Sequence, residues 1–201
     1  MLDSLIEWDV ARLTLEGQDK CGDSYLVVSS ERNVLMAVVD GLGHGDEAAA
    51  AAKVAIDILA ANPRDDLATL FRRAHEALRK SRGVVMSIAS INGEDATLTW
   101  MGVGNVEGLL VRARPDAKPE KESLLIRAGL LGASLPNLEP CTMPIMRGDM
   151  LLLTTDGIRG GFDGEINWRE SPKEIADRIL SRHSKGSDDA LVLVTRCVGV
   201  R

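Results

Sequence analysis

Aspartates stand at the points where apolar stretches of this sequence begin or end, each close to a glycine or a serine. Asp40 and Asp156 each follow such a stretch, whereas Asp23, Asp188 and Asp189 precede one. Because neighbouring antiparallel strands run in opposite directions, the end of one strand and the start of the next lie at the same edge of a sheet. We therefore expect these carboxylates to lie close together, where they repel one another unless a cation intervenes.

The chemistry of this acidic set indicates a site for a hard divalent cation. Mg²⁺ and Mn²⁺ prefer oxygen ligands and usually keep several waters, so three or four aspartates suit one or two such ions. Gly41 follows Asp40 and, without a Cβ, lets the chain turn tightly and offer its carbonyl oxygen to a second ion. Gly157 follows Asp156 in the same way. An Asp-Gly pair is also a common turn, so only the whole set predicts a metal site.

The elements that must position these aspartates can be predicted from hydrophobic periodicity and turn residues. Short apolar runs between turn signals predict strands at residues 25–30, 34–39, 84–92, 96–102, 107–113, 124–127, 149–155 and 190–198. Segments rich in helix-forming residues predict helices at residues 46–61, 65–83 and 171–184. The polar segment 113–123, which contains two prolines, is predicted to be a surface loop.

Most of the predicted strands follow one another without an intervening helix, which favours antiparallel pairing over an alternating parallel arrangement. The predicted fold class is therefore α+β, a four-layer αββα sandwich in which two stacked, mostly antiparallel sheets are flanked by helices. The chain has 201 residues, of which 45% are hydrophobic, and this is enough for one core. We predict a single domain over residues 1–201.

Charge and hydropathy argue against several partners and locations. The 30 acidic residues outnumber the 24 basic ones, and no basic segment is interleaved with aromatic residues, so we expect no nucleic-acid partner. No run of 18 apolar residues occurs, and acidic residues stand near the amino terminus, where a signal peptide needs basic ones. We therefore expect a cytoplasmic protein that does not bind membranes. Its three separated cysteines are expected to be reduced thiols without a functional role.

Motifs with a recognisable order extend along nearly the whole chain: CGDSY, VVDGLGHG, GVGNVEG, GLLGASLP, LLLTTDGIRG and DDALVLV. On this ordered set the sequence resembles the metal-dependent serine/threonine protein phosphatases of the type 2C superfamily. It is most similar to their compact bacterial branch, which contains the SpoIIE-, RsbU- and RsbX-type phosphatases. Within that branch, the CGDS opening and the length of 201 residues without a sensor domain resemble the RsbX-type stressosome phosphatases.

The resemblance implies a role for several residues of this sequence. Asp40 would bridge two ions of Mn²⁺ or Mg²⁺, and the carbonyl of Gly41 would complete the first ion. Asp156 and Asp188 would hold the second ion, while Asp23 would act through a water or on a weaker third ion. Asp40, Asp156 and Asp188 would be the catalytic residues, because the ions they hold activate the water that attacks phosphorus.

The resemblance also implies the substrates and the course of the reaction. The substrates would be phosphoserine or phosphothreonine residues on stressosome proteins with STAS domains, namely the RsbR- and RsbS-like proteins. Water would attack phosphorus in line, while the cations neutralise charge on the phosphoryl oxygens. No phosphoenzyme is implied.

Other polar residues admit more than one interpretation. The histidine that directly follows the Asp-Gly pair in eukaryotic members is displaced here to His44, which is either a general acid or a loop histidine. Asn105 either faces the site or only makes a turn. Asp189 is expected to support a ligand or to cap a strand. His75 and His183 lie in predicted helices and are expected to be solvated.

Two functions other than a phosphatase are compatible with part of this sequence. A strand followed by GLGHG and a helix has the rhythm of a nucleotide-binding loop, but Asp46 stands where that fingerprint requires glycine. Asp40 would also repel a phosphate unless a cation intervened. The other function is that of a catalytically silent module, which keeps the fold and binds phosphorylated proteins. Mn²⁺-dependent turnover separates the enzyme from that module.

Overall fold

The computed structural model of the protein describes residues 4–30, 32–114 and 116–200. The strands are β1 (Ile6–Leu13), β2 (Asp23–Ser30), β3 (Asn33–Gly41), β4 (Val84–Asn92), β5 (Thr97–Val103), β6 (Glu107–Val111), β7 (Lys121–Ser123), β8 (Ile126–Arg127), β9 (Cys141–Pro144), β10 (Met150–Thr154) and β11 (Ala190–Cys197). The α-helices are α1 (Asp46–Ala61), α2 (Leu67–Leu78) and α3 (Pro172–His183), and a short 3₁₀-helix covers Phe162–Glu165. Within the described ranges, no helix is long and apolar enough to cross a membrane.

The strands form two sheets. The first sheet has the strand order β1-β11-β10-β6-β7, and its neighbouring strands are antiparallel. The second sheet has the order β2-β3-β4-β5-β8, in which β8 runs parallel to β5 and the other neighbours are antiparallel. β9 also pairs with β5. The predicted mostly antiparallel pairing is confirmed.

Side chains that alternate along the strands divide the core into three layers. Met36, Trp100 and Leu153 are among the residues buried between the two sheets. Helices α1 and α2 cover the other face of the second sheet, where Phe71 is buried, and α3 covers the other face of the first sheet through Ile175. Each fully buried side chain of this size contributes about 1.5–3 kcal/mol to folding. The predicted four-layer αββα sandwich is thereby confirmed.

Helices α2 and α3 begin where a side chain forms the hydrogen bonds that a helix terminus lacks. The carboxylate of Asp66 accepts a hydrogen bond from the Thr69 amide at 2.9 Å, which fixes the start of α2 one residue later, at Leu67. Ser171 and Glu174 form a reciprocal capping box before α3. α2 ends at Leu78, so the predicted helix 65–83 is too long at both ends.

The strands β1, β7 and β9 are not predicted by the sequence. The predicted surface loop at residues 113–123 is wrong for β7, which forms there and pairs with β6. The guanidinium of Arg112 holds this region together, because it forms ion pairs with Glu122 on β7 and with the buried Asp149. β7 and β9 are short and β1 has eight residues, and all three form through tertiary contacts rather than through a hydrophobic pattern of their own.

Candidate active site

Strands β2 and β3 bring two of the predicted ligands together. Their antiparallel register places Asp23 directly opposite Asp40. Met36 and Val38 share the face of β3 on which Asp40 lies, and both are buried between the two sheets. Asp23 is buried and Asp40 is half-buried. The two carboxylates therefore lie at the rim of the interior between the sheets.

Thr155 connects this pair to the first sheet. Its hydroxyl donates a hydrogen bond to Oδ2 of Asp23 at 2.7 Å, and the hydroxyl oxygen of Thr155 in turn accepts one from the Leu191 amide at 2.9 Å. This contact brings the end of β10 and the start of β11 to the rim where Asp23 and Asp40 lie. Asp156 directly follows Thr155 and thus lies at the same rim. Thr155 is not among the predicted site residues, and the one signal for it in the sequence is its position directly before the Asp-Gly pair.

Asp189 joins the start of β11 to the segment that precedes β2. Its two carboxylate oxygens accept hydrogen bonds of 2.7 Å from the backbone amides of Leu15 and Gly22. The side chain of Asp189 is buried, whereas the neighbouring Asp188 is half-buried. Asp189 therefore contacts backbone amides that lie next to β2 and holds Asp188 at the rim.

Burial and mutual repulsion raise the pKa of two of these carboxyls. The pKa of Asp40 rises from 3.8 to about 8, first because burial disfavours its charged form and then because Asp23, Asp156, Asp188 and Asp189 are negatively charged. Burial likewise raises the pKa of Asp23 to about 7, against a hydrogen bond that favours its charged form. The structure therefore brings all five aspartates within electrostatic range of one another.

The donor set of this rim fits a hard divalent cation. A cation that replaces the retained protons relieves the repulsion between the carboxylates, whose oxygens are ligands that Mg²⁺ and Mn²⁺ prefer. Among the residues that the structure describes, no three histidine, cysteine, aspartate or glutamate side chains gather tightly enough to surround one ion. An ion that keeps several waters needs only part of its ligands from the protein.

Gly41 and Gly157 are required by close backbone packing. A Cβ at Gly41 would lie 2.2 Å from the carbonyl oxygen of Ala48 in α1, and a Cβ at Gly157 would lie 1.9 Å from that of Asp189. Atoms do not approach so closely without a bond. The sequence suggests tight turns and room for an ion as the reason for these glycines. The structure adds that Gly41 packs against α1 and that Gly157 packs against the residue before β11. The same contacts fix the backbone beside Asp40.

Asn105 takes the first of its two predicted alternatives. Its amide nitrogen Nδ2 donates a hydrogen bond to Oδ2 of Asp156 at 2.8 Å, so Asn105 faces the site. His44 lies exposed in the loop that precedes α1. Asn105 can therefore orient a predicted ligand, and the choice between the two interpretations of His44 stays open.

The predicted solvation of His75 and His183 is wrong. His75 is one of the buried residues of α2, and its Nδ1 accepts a hydrogen bond from the Gly132 amide at 3.1 Å. His183 is half-buried, lies 3.1 Å from a carboxylate oxygen of Glu165 and meets Phe162 edge-on. Both histidines therefore hold neighbouring segments in place, which a helical pattern alone does not reveal.

A protein-family model matches most of this chain. The family model for stage II sporulation protein E (SpoIIE) matches residues 30–198. The chain belongs to the SpoIIE family. The predicted family is thereby confirmed, and so is the predicted enzyme class, a metal-dependent protein serine/threonine phosphatase.

Individual relatives of this SpoIIE-family protein match almost its whole length. The phosphoserine phosphatase RsbX of Bacillus subtilis (strain 168) is 27% identical over 183 residues, which are 90% of this chain and 89% of that protein. A solved structure of RsbX in complex with magnesium has a TM-score of 0.85 at 25% identity, over 96% of this chain and 95% of the other. A structure from work on the bacterial stressosome and secondary messenger signalling has a TM-score of 0.88 at 29% identity, over 95% and 99%.

Proposed function

We propose that this SpoIIE-family protein dephosphorylates phosphoserine and phosphothreonine residues of STAS-domain stressosome proteins of the RsbR- and RsbS-like kind. The observation that carries the proposal is the group of aspartates at one rim, in which Asp23 and Asp40 have pKa values of about 7 and 8. The similarity to RsbX and to the stressosome-associated structure supports this choice of substrates. A cytoplasmic location is part of the same proposal.

The metal-binding roles follow the family resemblance and use one rim of the two sheets. Asp40 would bridge two ions of Mn²⁺ or Mg²⁺, the Gly41 carbonyl would bind the first, and Asp156 and Asp188 would bind the second. Asp23, directly opposite Asp40, would act through a water or on a third ion. When bound, the ions lower the pKa of a bridging water and offset charge on the phosphoryl oxygens. The half-buried position of Asp40 keeps its carboxylate within reach of both solvent and substrate.

Neighbouring side chains hold these carboxylates in position. Thr155 donates to one oxygen of Asp23, and Asn105 donates to one oxygen of Asp156, so each carboxylate keeps its second oxygen for a ligand or a water. Asp189 directs both of its oxygens at backbone amides, which supports a positioning role rather than a catalytic one. Such fixed orientation lowers the cost of assembling the site for each turnover.

Phosphate release tests the proposed function directly. We expect the purified protein to hydrolyse both p-nitrophenyl phosphate and a phosphorylated STAS-domain protein when Mn²⁺ is present. Both rates should fall to background in EDTA and return when Mn²⁺ is restored, because the attacking water depends on the ions. Tight binding of the phosphoprotein without release of phosphate, in Mn²⁺ and in Mg²⁺, would instead identify a silent binding module.

A further inference from the structure

A groove runs along the exposed side of α1, beside the chain that connects α2 to β4. Its volume is about 460 Å³, within the range of ligand-binding clefts. It is lined by Glu47, Ala50, Ala51 and Val54 on α1 and by Lys80, Ser81 and Arg82 on the connection. The eight residues from Glu47 to Val54 extend over roughly 10 Å of helix, the length of about three residues of extended chain.

The groove is continuous with the loop that follows Asp40. The β3–β4 register pairs Gly41 with Val84, and the Leu42 amide then donates to the Gly83 carbonyl at 3.1 Å. One step further along the same register, Arg82 lies against the loop. A Cβ at Gly43 would be only 2.8 Å from its Nη1. The end of the groove at Arg82 is therefore joined directly to the backbone beside the predicted metal ligands.

Apolar side chains are exposed at this end of the molecule. Leu42 is 51% exposed although it directly follows Gly41, and Val54 is 36% exposed in the groove. When a partner covers a large apolar side chain that was exposed to water, the free energy falls and binding is favoured. Leu42 lies in the loop that precedes α1, and Val54 lies in the third turn of that helix.

Positive charge borders the groove. Lys80 and Arg82 line the groove, against the single carboxylate of Glu47, with which Arg82 forms an ion pair. The residues that line the groove therefore carry one net positive charge, in a chain whose formal net charge is −6. A partner that brings apolar side chains together with phosphate and acidic groups is complementary to it.

We infer that this groove, with Leu42 at its active-site end, is the docking surface for the phosphoprotein substrate. The inference rests on the proposed function and adds the surface that selects the substrate. The occupant is the segment next to the phosphorylated residue, which places an apolar side chain on Ala50 and Val54 and acidic groups beside Lys80 and Arg82. A small phosphate ester does not reach the groove, so the groove acts on proteins and not on p-nitrophenyl phosphate.

Steady-state kinetics of charge-changing variants test this docking surface. Val54→Asp and Lys80→Glu should each lower kcat/KM for a phosphorylated STAS-domain protein by about tenfold, mainly through KM, because docking contacts at an interface centre have this weight. Their Mn²⁺-dependent hydrolysis of p-nitrophenyl phosphate should stay within about twofold of wild type. Lys80 is exposed outside any helix or strand, so Lys80→Glu is informative even if Val54→Asp is destabilised.

Matched controls lie away from the groove. Leu125→Asp alters a side chain that is 74% exposed, and Lys118→Glu reverses an exposed charge in the loop between β6 and β7. Both controls should keep wild-type kcat/KM for the phosphoprotein. Equal values for the groove variants and the controls would overturn the docking surface, as would a change in oligomeric state with unchanged kinetics, which would assign the groove to self-association. Absence of Mn²⁺-dependent activity on both substrates in the wild type would count against the proposed function instead.

Discussion

Replacement of Asp40 by asparagine should lower kcat for Mn²⁺-dependent hydrolysis by about 10³-fold or more, on p-nitrophenyl phosphate and on the phosphoprotein alike. Asparagine keeps the size of the side chain and one acceptor oxygen but removes the negative charge that would bridge two cations. Asp40 lies directly opposite Asp23 at the rim. It is the acidic residue of β3, so no other side chain of that strand can supply a carboxylate there. Calorimetric titration should show weaker binding of Mn²⁺ to the variant.

Asp57→Asn is the matched control for this substitution. Asp57 is exposed on α1, where it forms an ion pair with Lys53, and the same change of charge there should leave kcat within about twofold of wild type. If Asp40→Asn retained wild-type kcat and wild-type Mn²⁺ affinity, the assignment of Asp40 as the bridging ligand would be wrong.

Without metal, the free energy of unfolding should fall as the pH rises from 6 to 8. The folded-state pKa values of Asp23 and Asp40 are about 7 and about 8, above the ordinary value of 3.8. At pH 6 the folded protein therefore binds more protons than the unfolded chain, and this stability is lost as the pH rises through the folded-state values. The loss summed over both groups is about 4 kcal/mol, measured by urea unfolding in EDTA at the two pH values.

Added Mn²⁺ or Mg²⁺ should restore more stability at pH 8 than at pH 6, because protons compete with the ions for the same oxygens. Asp40→Asn should reduce the pH dependence of the free energy of unfolding of the metal-free protein, because its amide does not titrate. Asp57→Asn should keep the wild-type slope. Asp40→Asn should also be more stable than wild type at pH 8 without metal, as expected where a site stores repulsion for function. The same slope in Asp40→Asn and in wild type would show that the pKa of Asp40 is not raised.

The aspartates could be identified from sequence because each stands at a strand end, but their exact pairing could not. The predicted strands 25–30 and 34–39 leave three residues between them for a hairpin turn. Pairing residue 30 with residue 34 across that turn would place Asp40 opposite Ser24. In the structure Asn33 belongs to β3 and pairs with Ser30, and this shift of one residue places Asp23 opposite Asp40. A one-residue shift moves a side chain to the other face of a strand, so the site depends on the turn.

The contacts that join the two sheets are also beyond the reach of local patterns. The hydrogen bond from Thr155 to Asp23 connects residues that are 132 positions apart, and its formation requires the sheets to be stacked already. The same holds for His75, whose partner Gly132 lies in a different part of the chain. Hydrophobic periodicity predicted a helix where α2 lies, but it could not show that the loop containing Gly132 covers His75 of that helix.

Anomalous diffraction from crystals of the wild-type protein grown with Mn²⁺ tests the central claim most directly. We expect two manganese peaks at the rim, with Asp40 in contact with both, the Gly41 carbonyl at the first, and Asp156 and Asp188 at the second. The same experiment on Asp40→Asn should show at least one peak weakened or lost. Manganese bound elsewhere in the wild type, or Asp40, Asp156 and Asp188 bound to no ion at saturating Mn²⁺, would contradict the central claim.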